Sequence, residues 1–428
     1  MKIERDIKIG DEHFALLVET QHGTITARTA VHAQGFLRRI GGARFVRQGD
    51  VAEVGHLASG MTWKCAAAGL PADGEKSVLS CPDGIPRGVA ERAAILGEHA
   101  RQVRSVDPGV IFGPDMNNGE DVMSLTSEAD DLRDHITGLD PAHGGLSIDT
   151  RGYTAFGLFA AARAARRLRS ESLNTVSIQG FGAVGAHVAR LFYEAGLAIR
   201  AASAREGALI ADDGALPLPA MFAAWQERGN SAFADYRSDP PDGARFDDDP
   251  DALLSTKAEI FVPAARTGVL AMPGELERVR ELENPNCRSV VRFLEETGVR
   301  MVAQGANYPV TPAAEEYLEE NGVIVLPDYI VNCGGLVGCY FEWAYRDQLL
   351  RSAAKREEMH SATLRVIERI VERNVEALFS TEGRIRERAH NLAEKHRERL
   401  LTRCAEFGPD ATSHEVARAC LEELTAGG

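Results

Sequence analysis

The stretch "TVSIQGFGAVGAHVARLFYEAGLAIRAAS" (residues 175–203) limits the fold more than any other part of the chain. An apolar run, a glycine turn, an amphipathic run and a second apolar run follow in that order. The pattern predicts a strand, a turn, a helix and a strand, the opening of a doubly wound parallel sheet. Gly180 allows the tight turn, Gly182 lets a pyrophosphate approach the backbone, and Gly185 lets the helix lie close to the strand. With Ala183 and Val184 between them, these residues form the expected dinucleotide site. A generic glycine turn is the plainer alternative, and the strand and helix on either side argue against it. An acid that bonds the adenosine ribose is expected about 20 residues on. Ala204 stands there, followed by Arg205 and Glu206. A missing acid beside an arginine leans toward a 2′-phosphate, so the cofactor expected is NAD or NADP with a lean to NADP.

The rest of the chain supports an α/β class. Alternating residues over 13–48 predict strands, with a break at Gly41-Gly42. Val54, Leu57, Met61, Cys65 and Ala68 recur at helical spacing over 51–68. "LPADGEKSVL" (70–79) reads as a glycine-containing turn that leads into a strand, "SVLSC". Residues 86–105 and 153–168 predict helices, and "AEIFVPAA", "VRMVAQGAN" and "GVIVLPD" predict further strands. The acidic stretch "DPPDGARFDDDPD" reads as a solvated turn, and 355–403 as strongly helical, a solvated amphipathic face rather than a nucleic-acid patch. The change of character at "PAHGGLSIDTRG" predicts two domains around a cleft. Residues 1–148 would form a substrate-binding and oligomerisation domain and 149–345 a Rossmann-type dinucleotide domain. Helices of 346–428 would pack back on the first.

Composition narrows the partners. The 428 residues carry a net charge of −15, which argues against nucleic acid or an anionic membrane as the main partner. No run of 18 apolar residues predicts a membrane span, and "MKIERDIKIG" lacks the apolar core of a signal peptide. Seven scattered cysteines without a CxxC pair suit a reduced cytoplasm and predict no metal site.

Three polar groups ahead of the dinucleotide motif have informative spacing. Lys64 lies in "GMTWKCAAAGLP", Lys76 in "GEKSVL" and Asp115 in "FGPDMNNGEDV". Singly they read as a surface lysine, a turn lysine and a helix cap. Together they suggest an anion-binding ammonium, a catalytic ammonium and a proton-shuttling carboxylate. These segments, with "GGARF", "GYTAFGLFAA" and "GFGAVG", resemble the glutamate/leucine/phenylalanine/valine dehydrogenases. The block "GANYPVTPAAEEYLEENGVIVLPDYIVNCGGLVGCYFEWAYR" (305–346) is very similar to the glutamate dehydrogenase branch.

The resemblance implies reversible oxidative deamination of an L-amino acid to a 2-oxo acid and ammonia, in a homo-oligomer that is a hexamer or octamer. It implies that Lys76 and Asp115 are catalytic, that Lys64 binds the α-carboxylate, and that Asn332 lies near the substrate. It places Thr154 and Asn307 at the cofactor. Ile40, Gly42 and Cys339 would line the substrate pocket.

Departures from the family pattern bear on the substrate and on activity. Asp73-Gly74-Glu75-Lys76-Ser77 replaces glycines around the catalytic lysine. Two carboxylates there are expected either to point to solvent or to raise the lysine's pKa. Ile40 and Cys339 stand where glutamate dehydrogenases carry a lysine and a serine for the side-chain carboxylate, so an apolar substrate is expected. Gln304 replaces the acid of "EGAN", and 271–298 carries extra helical sequence. A catalytically altered or silent nucleotide-binding homologue is the alternative.

Overall fold

The computed structural model describes residues 1–407 and 411–426. The chain divides into two compact units. The first is Met1–Arg151 with Gly335–Ile370 and Leu392–Gly428; the second is Gly152–Gly334 with Val371–Asn391.

The first unit is built on a six-stranded sheet. Its strands are β1 (Lys2–Ile9), β2 (Glu12–His22), β3 (Ile25–Val31), β4 (Arg39–Val46), β5 (Asp73–Ser80) and β6 (Val110–Gly113), in the order β1-β2-β3-β5-β4-β6. β1, β2, β3 and β5 pair antiparallel, while β5, β4 and β6 pair parallel. Helix α1 (Val51–Ala68) covers one face; α2 (Val89–Val106) and α3 (Glu120–Ser127) cover the other. Asp50 caps α1 by accepting from the Glu53 N–H, and Gly69 ends it in the left-handed region at φ 70°. Because side chains alternate along a strand, Phe14, Leu17, Ala30 and Val78 pack with Val54, Leu57 and Ala58 of α1. Leu16, Val18, Ala43, Phe45 and Leu79 pack with Leu96 and Val103 of α2.

Within "LPADGEKSVL", residues 73–76 are not a turn but join the expected strand "SVLSC", while 70–72 lie outside it. Asp73 begins β5, and all eight residues of that strand are buried. Asp, Gly, Glu and Lys are poor strand formers, so propensity misreads them. Partners hold them inside instead. Asp73 accepts from the N–H of Gly35 (2.5 Å) and Phe36 (3.0 Å), and from the Arg397 guanidinium at 2.7 Å. The expectation that Asp73 and Glu75 point to solvent is therefore overturned; both are fully buried.

The second unit begins with α4 (Tyr153–Arg169), followed by β7 (Thr175–Gln179), α5 (Ala183–Glu194), β8 (Ala198–Ala204), β9 (Gly207–Ala211), β10 (Ala244–Asp247) and β11 (Ile260–Pro263). Strands Met301–Ala303 and Ile324–Leu326 complete a seven-stranded sheet. β8, β7, β11 and those two strands run parallel, the doubly wound core expected. β9 and β10 add an antiparallel edge. Part of the acidic stretch read as a turn is thus the strand β10. β1 was not anticipated, and 355–403 is broken into Ala353–Phe379 and Ile385–Ala405.

Replacing Asp73 by Ala leaves two backbone donors and a guanidinium unpaired, and should lower the unfolding free energy by about 3–5 kcal/mol. Arg397→Ala leaves Asp73 its backbone donors and should cost clearly less. Urea unfolding of both variants checks this; a loss under about 1 kcal/mol for Asp73→Ala contradicts it.

Candidate active site

Lys76 lies on the α1 face of the first sheet. The parallel register of β4 and β5 aligns Ile40 with Gly74 and Ala43 with Ser77, which sets Gly42 beside Lys76. Gly42 in turn pairs with Gly113 of β6. These two glycines make a bare floor. A methyl group on Gly42 would sit 2.8 Å from the Pro114 carbonyl oxygen, 2.9 Å from Asp115 Cβ and 3.0 Å from Lys76 Nζ. Only glycine leaves room for the ammonium and the 114–115 backbone to meet there.

Lys76 Nζ is ion-paired with Asp115 Oδ2. Arg44, two residues beyond Gly42 on the same face, closes the group. Its Nε donates to Asp115 Oδ2 at 3.0 Å and its Nη1 to Glu53 of α1 at 3.2 Å. Arg44 was not among the expected site residues, although it stands in the quoted "GGARF". Burial works to raise Asp115, but Arg44 and Lys76 outweigh it and hold the carboxyl well below the usual carboxylate range. Lys76 moves the other way from the expectation. Burial lowers it, Asp115 opposes this and Arg44 adds to it, so the ammonium loses its proton more readily than an exposed lysine. Glu75 does not reverse the balance, because adjacent strand residues point to opposite faces.

Other expected substrate residues lie in the same unit. Lys64 is buried on α1. Ile40 is buried on β4. Cys339 lies on the helix Gly334–Arg351, and a methyl group on Gly113 would come within 3.8 Å of its Sγ. Burial pushes that thiol well above its ordinary value. Glu342, one turn further along, accepts from the N–H of Gly138 (2.8 Å) and Leu146 (3.0 Å) and from the Thr137 hydroxyl (3.0 Å). It fixes Cys339 against the end of β6. Asp115 caps no helix, since α3 begins after Gly119.

The nucleotide residues lie in the second unit. Gly180 has φ 94°, and Gly182 precedes the first turn of α5, where Ala183, Val184 and Gly185 present backbone N–H groups. A methyl group on Gly185 would lie 1.7 Å from the Gly180 carbonyl oxygen, so α5 packs on the turn itself. One on Gly182 would meet nothing nearer than Asn230 at 3.8 Å. This open helix N-terminus fits a pyrophosphate. Ala204 and Gly207 pair across a two-residue turn, with Arg205 exposed at its tip and Glu206 beside it. Glu206 Oε2 is buried without a hydrogen-bond partner. Thr154 lies in the first turn of α4. Asn332, expected near the substrate, lies in this unit too. Its Nδ2 donates to the Gly305 carbonyl (3.2 Å) and to Asn307 Oδ1 (3.3 Å), and its own Oδ1 lacks a partner. Gln304, which replaces an acid, donates to the buried Glu315 carboxylate at 2.5 Å. The extra sequence carries the helices Leu276–Leu282 and Val290–Thr297.

A Rossmann-type unit with an open glycine turn, joined in one chain to a unit holding a buried lysine–aspartate pair, defines the class of two-domain dinucleotide-dependent dehydrogenases. The sequence model described as Glutamate/Leucine/Phenylalanine/Valine dehydrogenase matches residues 144–397, and that of the family's dimerisation domain matches 13–130. The chain belongs to this family. It is 27% identical over 389 residues to the mitochondrial glutamate dehydrogenase of Dictyostelium discoideum, spanning 85% of this chain and 72% of that protein. Among solved structures it is similar to the hetero-hexameric glutamate dehydrogenase of Thermus thermophilus in its leucine-bound form. There the TM-score is 0.71 at 24% identity, over 90% of this chain and 86% of that one. The glutamate dehydrogenase of Peptoniphilus asaccharolyticus gives a TM-score of 0.60 at 20% identity, over 89% and 87%. At these identities the two structures speak for the fold. Among the described residues no helix is long and apolar enough to cross a membrane, and no cluster of acids, histidines and cysteines is placed to hold a metal.

Gly42→Ala should push the Lys76 ammonium off Asp115, costing about 1–3 kcal/mol of stability, and if the pair is catalytic most of the turnover. Thermal unfolding and steady-state rates measure both. Wild-type values in each would show that the floor has room.

Proposed function

We propose that this chain is an NAD(P)-dependent amino-acid dehydrogenase that deaminates an L-amino acid with an apolar side chain. The observation that carries the reading is the buried Lys76–Asp115–Arg44 group above the Gly42–Gly113 floor. In this reading Lys64 pairs with the substrate α-carboxylate. Lys76, with its lowered proton affinity, polarises the water and then the oxygen that forms at Cα. Asp115, kept ionised by two cations, accepts a proton from the amine and returns it. The bound nicotinamide supplies the hydride acceptor for Cα. Water then adds to the imine, and the carbinolamine collapses to the 2-oxo acid and ammonia.

The side-chain preference rests on Ile40 and Cys339. Both are buried and neither carries a cation, so a glutamate carboxylate would be left unpaired, at about 2–5 kcal/mol. A cationic substrate has less support. Asp73 is already held by Arg397 and two backbone donors, and Glu75 faces away from Lys76. For the cofactor, Arg205 is exposed at the β8–β9 tip, while Arg237 nearby is engaged with the Glu206 carbonyl at 3.0 Å and Asp248 at 2.8 Å, so Arg205 is the guanidinium that a 2′-phosphate would meet. The first unit serves as the substrate and oligomerisation domain, and the second as the dinucleotide domain. The outer edge of β1, which pairs with β2 alone among the described residues, and the matched dimerisation-domain model support a homo-oligomer, a hexamer or octamer. Seven cysteines, all free thiols, suit the cytoplasm.

A homologue that binds nucleotide without turnover is favoured by one observation: Asp115 is held by two cations and gives up its charge with difficulty. The same experiment separates the readings. Reduction of NAD and NADP is followed with a panel of apolar, acidic and basic L-amino acids, beside nucleotide binding by tryptophan fluorescence. We expect an apolar amino acid to exceed glutamate in kcat/KM, and Lys76→Ala to abolish turnover while binding nucleotide as before. Equal turnover of Lys76→Ala and wild type rejects the catalytic lysine; binding without turnover in the wild type assigns the silent role.

NADP should bind at least as tightly as NAD. Dissociation constants that favour NAD by about tenfold, about 1.4 kcal/mol, would instead give the ribose to the free Glu206 oxygen.

A further inference from the structure

The α2 face of the first sheet, opposite Lys76, holds a line of hydrogen-bonded polar groups from His22 to Glu75 inside an apolar core. At its outer end the exposed Glu98 of α2 places Oε2 3.2 Å from the buried His22 Nδ1, an ion-pair contact rather than an aligned hydrogen bond. His22 Nε2 is 2.8 Å from Thr20 Oγ1, which is 2.7 Å from His99 Nδ1. His99 Nε2 is 2.7 Å from Thr29 Oγ1, and Thr29 Oγ1 is 2.7 Å from Ser77 Oγ. Ser77 Oγ donates to Glu75 Oε2 at 3.2 Å. The register explains the alignment: Thr29 sits opposite Ser77 and Val31 opposite Glu75, all on the face that α2 covers. Thr20, Thr29, Ser77, His99 and Glu75 are buried, and Glu75 Oε1 has no hydrogen-bond partner. Gly41 makes room for it, since a methyl group there would lie 3.0 Å from that oxygen.

A structural role does not account for this line. A buried carboxyl with one oxygen unsatisfied is costly, and the family pattern has glycine where Glu75 stands. The groups do satisfy the requirement of a proton wire, in which every member can both give and take one proton. With Glu75 ionised, all donations run inward: His22 Nε2–H to Thr20, Thr20 to His99 Nδ1, His99 Nε2–H to Thr29, Thr29 to Ser77, Ser77 to Glu75. With Glu75 protonated, all run outward and His22 Nδ1–H faces Glu98. Passing between the two states breaks and forms one O–H or N–H bond at each member. The net change is one proton delivered from solvent, by way of the exposed Glu98 carboxylate beside His22 Nδ1, to Glu75 Oε2.

We propose that Glu98, His22, Thr20, His99, Thr29 and Ser77 conduct protons between solvent and Glu75, and that the charge of Glu75 sets the proton affinity of Lys76 through the strand they share. Glu75 is thus a positioning residue for the lysine's charge, and the inference rests on the dehydrogenase reading only for its effect on rate. Burial pushes the Glu75 carboxyl up to about 8, with Lys76 and Ser77 pulling it down and Asp115 pushing it up. It therefore carries its proton at neutral pH. His99 is pushed down to about 3 by burial and by His22, so it stays neutral and relays by exchanging its two tautomers. The sign of the coupling follows: neutral Glu75 leaves Lys76 easier to deprotonate, and ionised Glu75 makes the ammonium more persistent.

Infrared spectroscopy of the full chain tests the wire without any turnover. Wild type should show a protonated-acid C=O band at neutral pH that fades as pH rises through about 8. The band should be absent in Glu75→Gln. On transfer to D2O the band should shift as the acid exchanges, and Thr29→Val and His22→Phe should each slow that exchange by about a hundredfold. His22 lies at the outer end, so that variant decides the matter if Thr29→Val does not fold. No band at neutral pH, or exchange at the wild-type rate in a folded variant of either site, overturns the wire. The coupling is read separately from the pH profile of kcat/KM. Glu75→Gln should move the limb that reports Lys76 to lower pH by about one unit; an unmoved limb overturns the coupling.

Discussion

The ion pair between Lys76 and Asp115 is the interaction on which the first unit depends. Two buried charges tolerate each other inside a protein only with near-complete pairing. Each surrounding feature supplies part of that pairing or makes space for it. Arg44 takes the second side of Asp115 and leans on Glu53, which the start of α1 holds in place. Gly42 leaves the gap through which ammonium and carboxylate meet. The result is a lysine whose charge is easily removed and an aspartate whose charge is not, two groups of opposite proton preference in contact. That division suits the proposed reaction, in which one group must trade protons with an oxygen while the other holds the amine's proton only in passing.

The acidic neighbours of Lys76 then become intelligible. Asp73 and Glu75 flank it in sequence, and each has a separate task on the face away from it. Asp73 ties the start of β5 to the 35–36 backbone and to Arg397, far along the chain. Glu75 ends a line of hydrogen bonds that runs to His22, which lies beside Glu98 on the surface of α2. Strand alternation turns both side chains to the face opposite the ammonium, so any effect of Glu75 on Lys76 is felt through the strand rather than by contact.

Much of the fold was legible because its signals are local and periodic. The glycine turn of 180–185, the small-residue helix from Tyr153 and the helix over 51–68 stand where periodicity puts them. β5 was misread because its residues belong to a strand only by virtue of distant partners, which no local propensity records. β10 was hidden for another reason: its four residues, Ala244–Asp247, sit between acidic runs that look like a loop. Lys76 and Asp115 were legible as a pair, since the quoted motifs carry them. Arg44 was not, although it lies in one of those motifs, because nothing in the spacing says that its side chain turns toward Asp115. Glu75's route to the surface needed the register of three strands and one helix.

The central claim, that burial lowers the proton affinity of Lys76 despite its carboxylate partner, is open to direct measurement. The chain has only seven lysines, so a 15N-lysine-labelled sample gives few side-chain signals, and Lys76→Arg assigns the one of interest. A pH titration of that nitrogen by nuclear magnetic resonance should give a midpoint below the ordinary lysine value of 10.5. A midpoint at or above that value would contradict the account, because the ion pair would then outweigh burial and leave a fixed cation where the proposed chemistry needs a removable one.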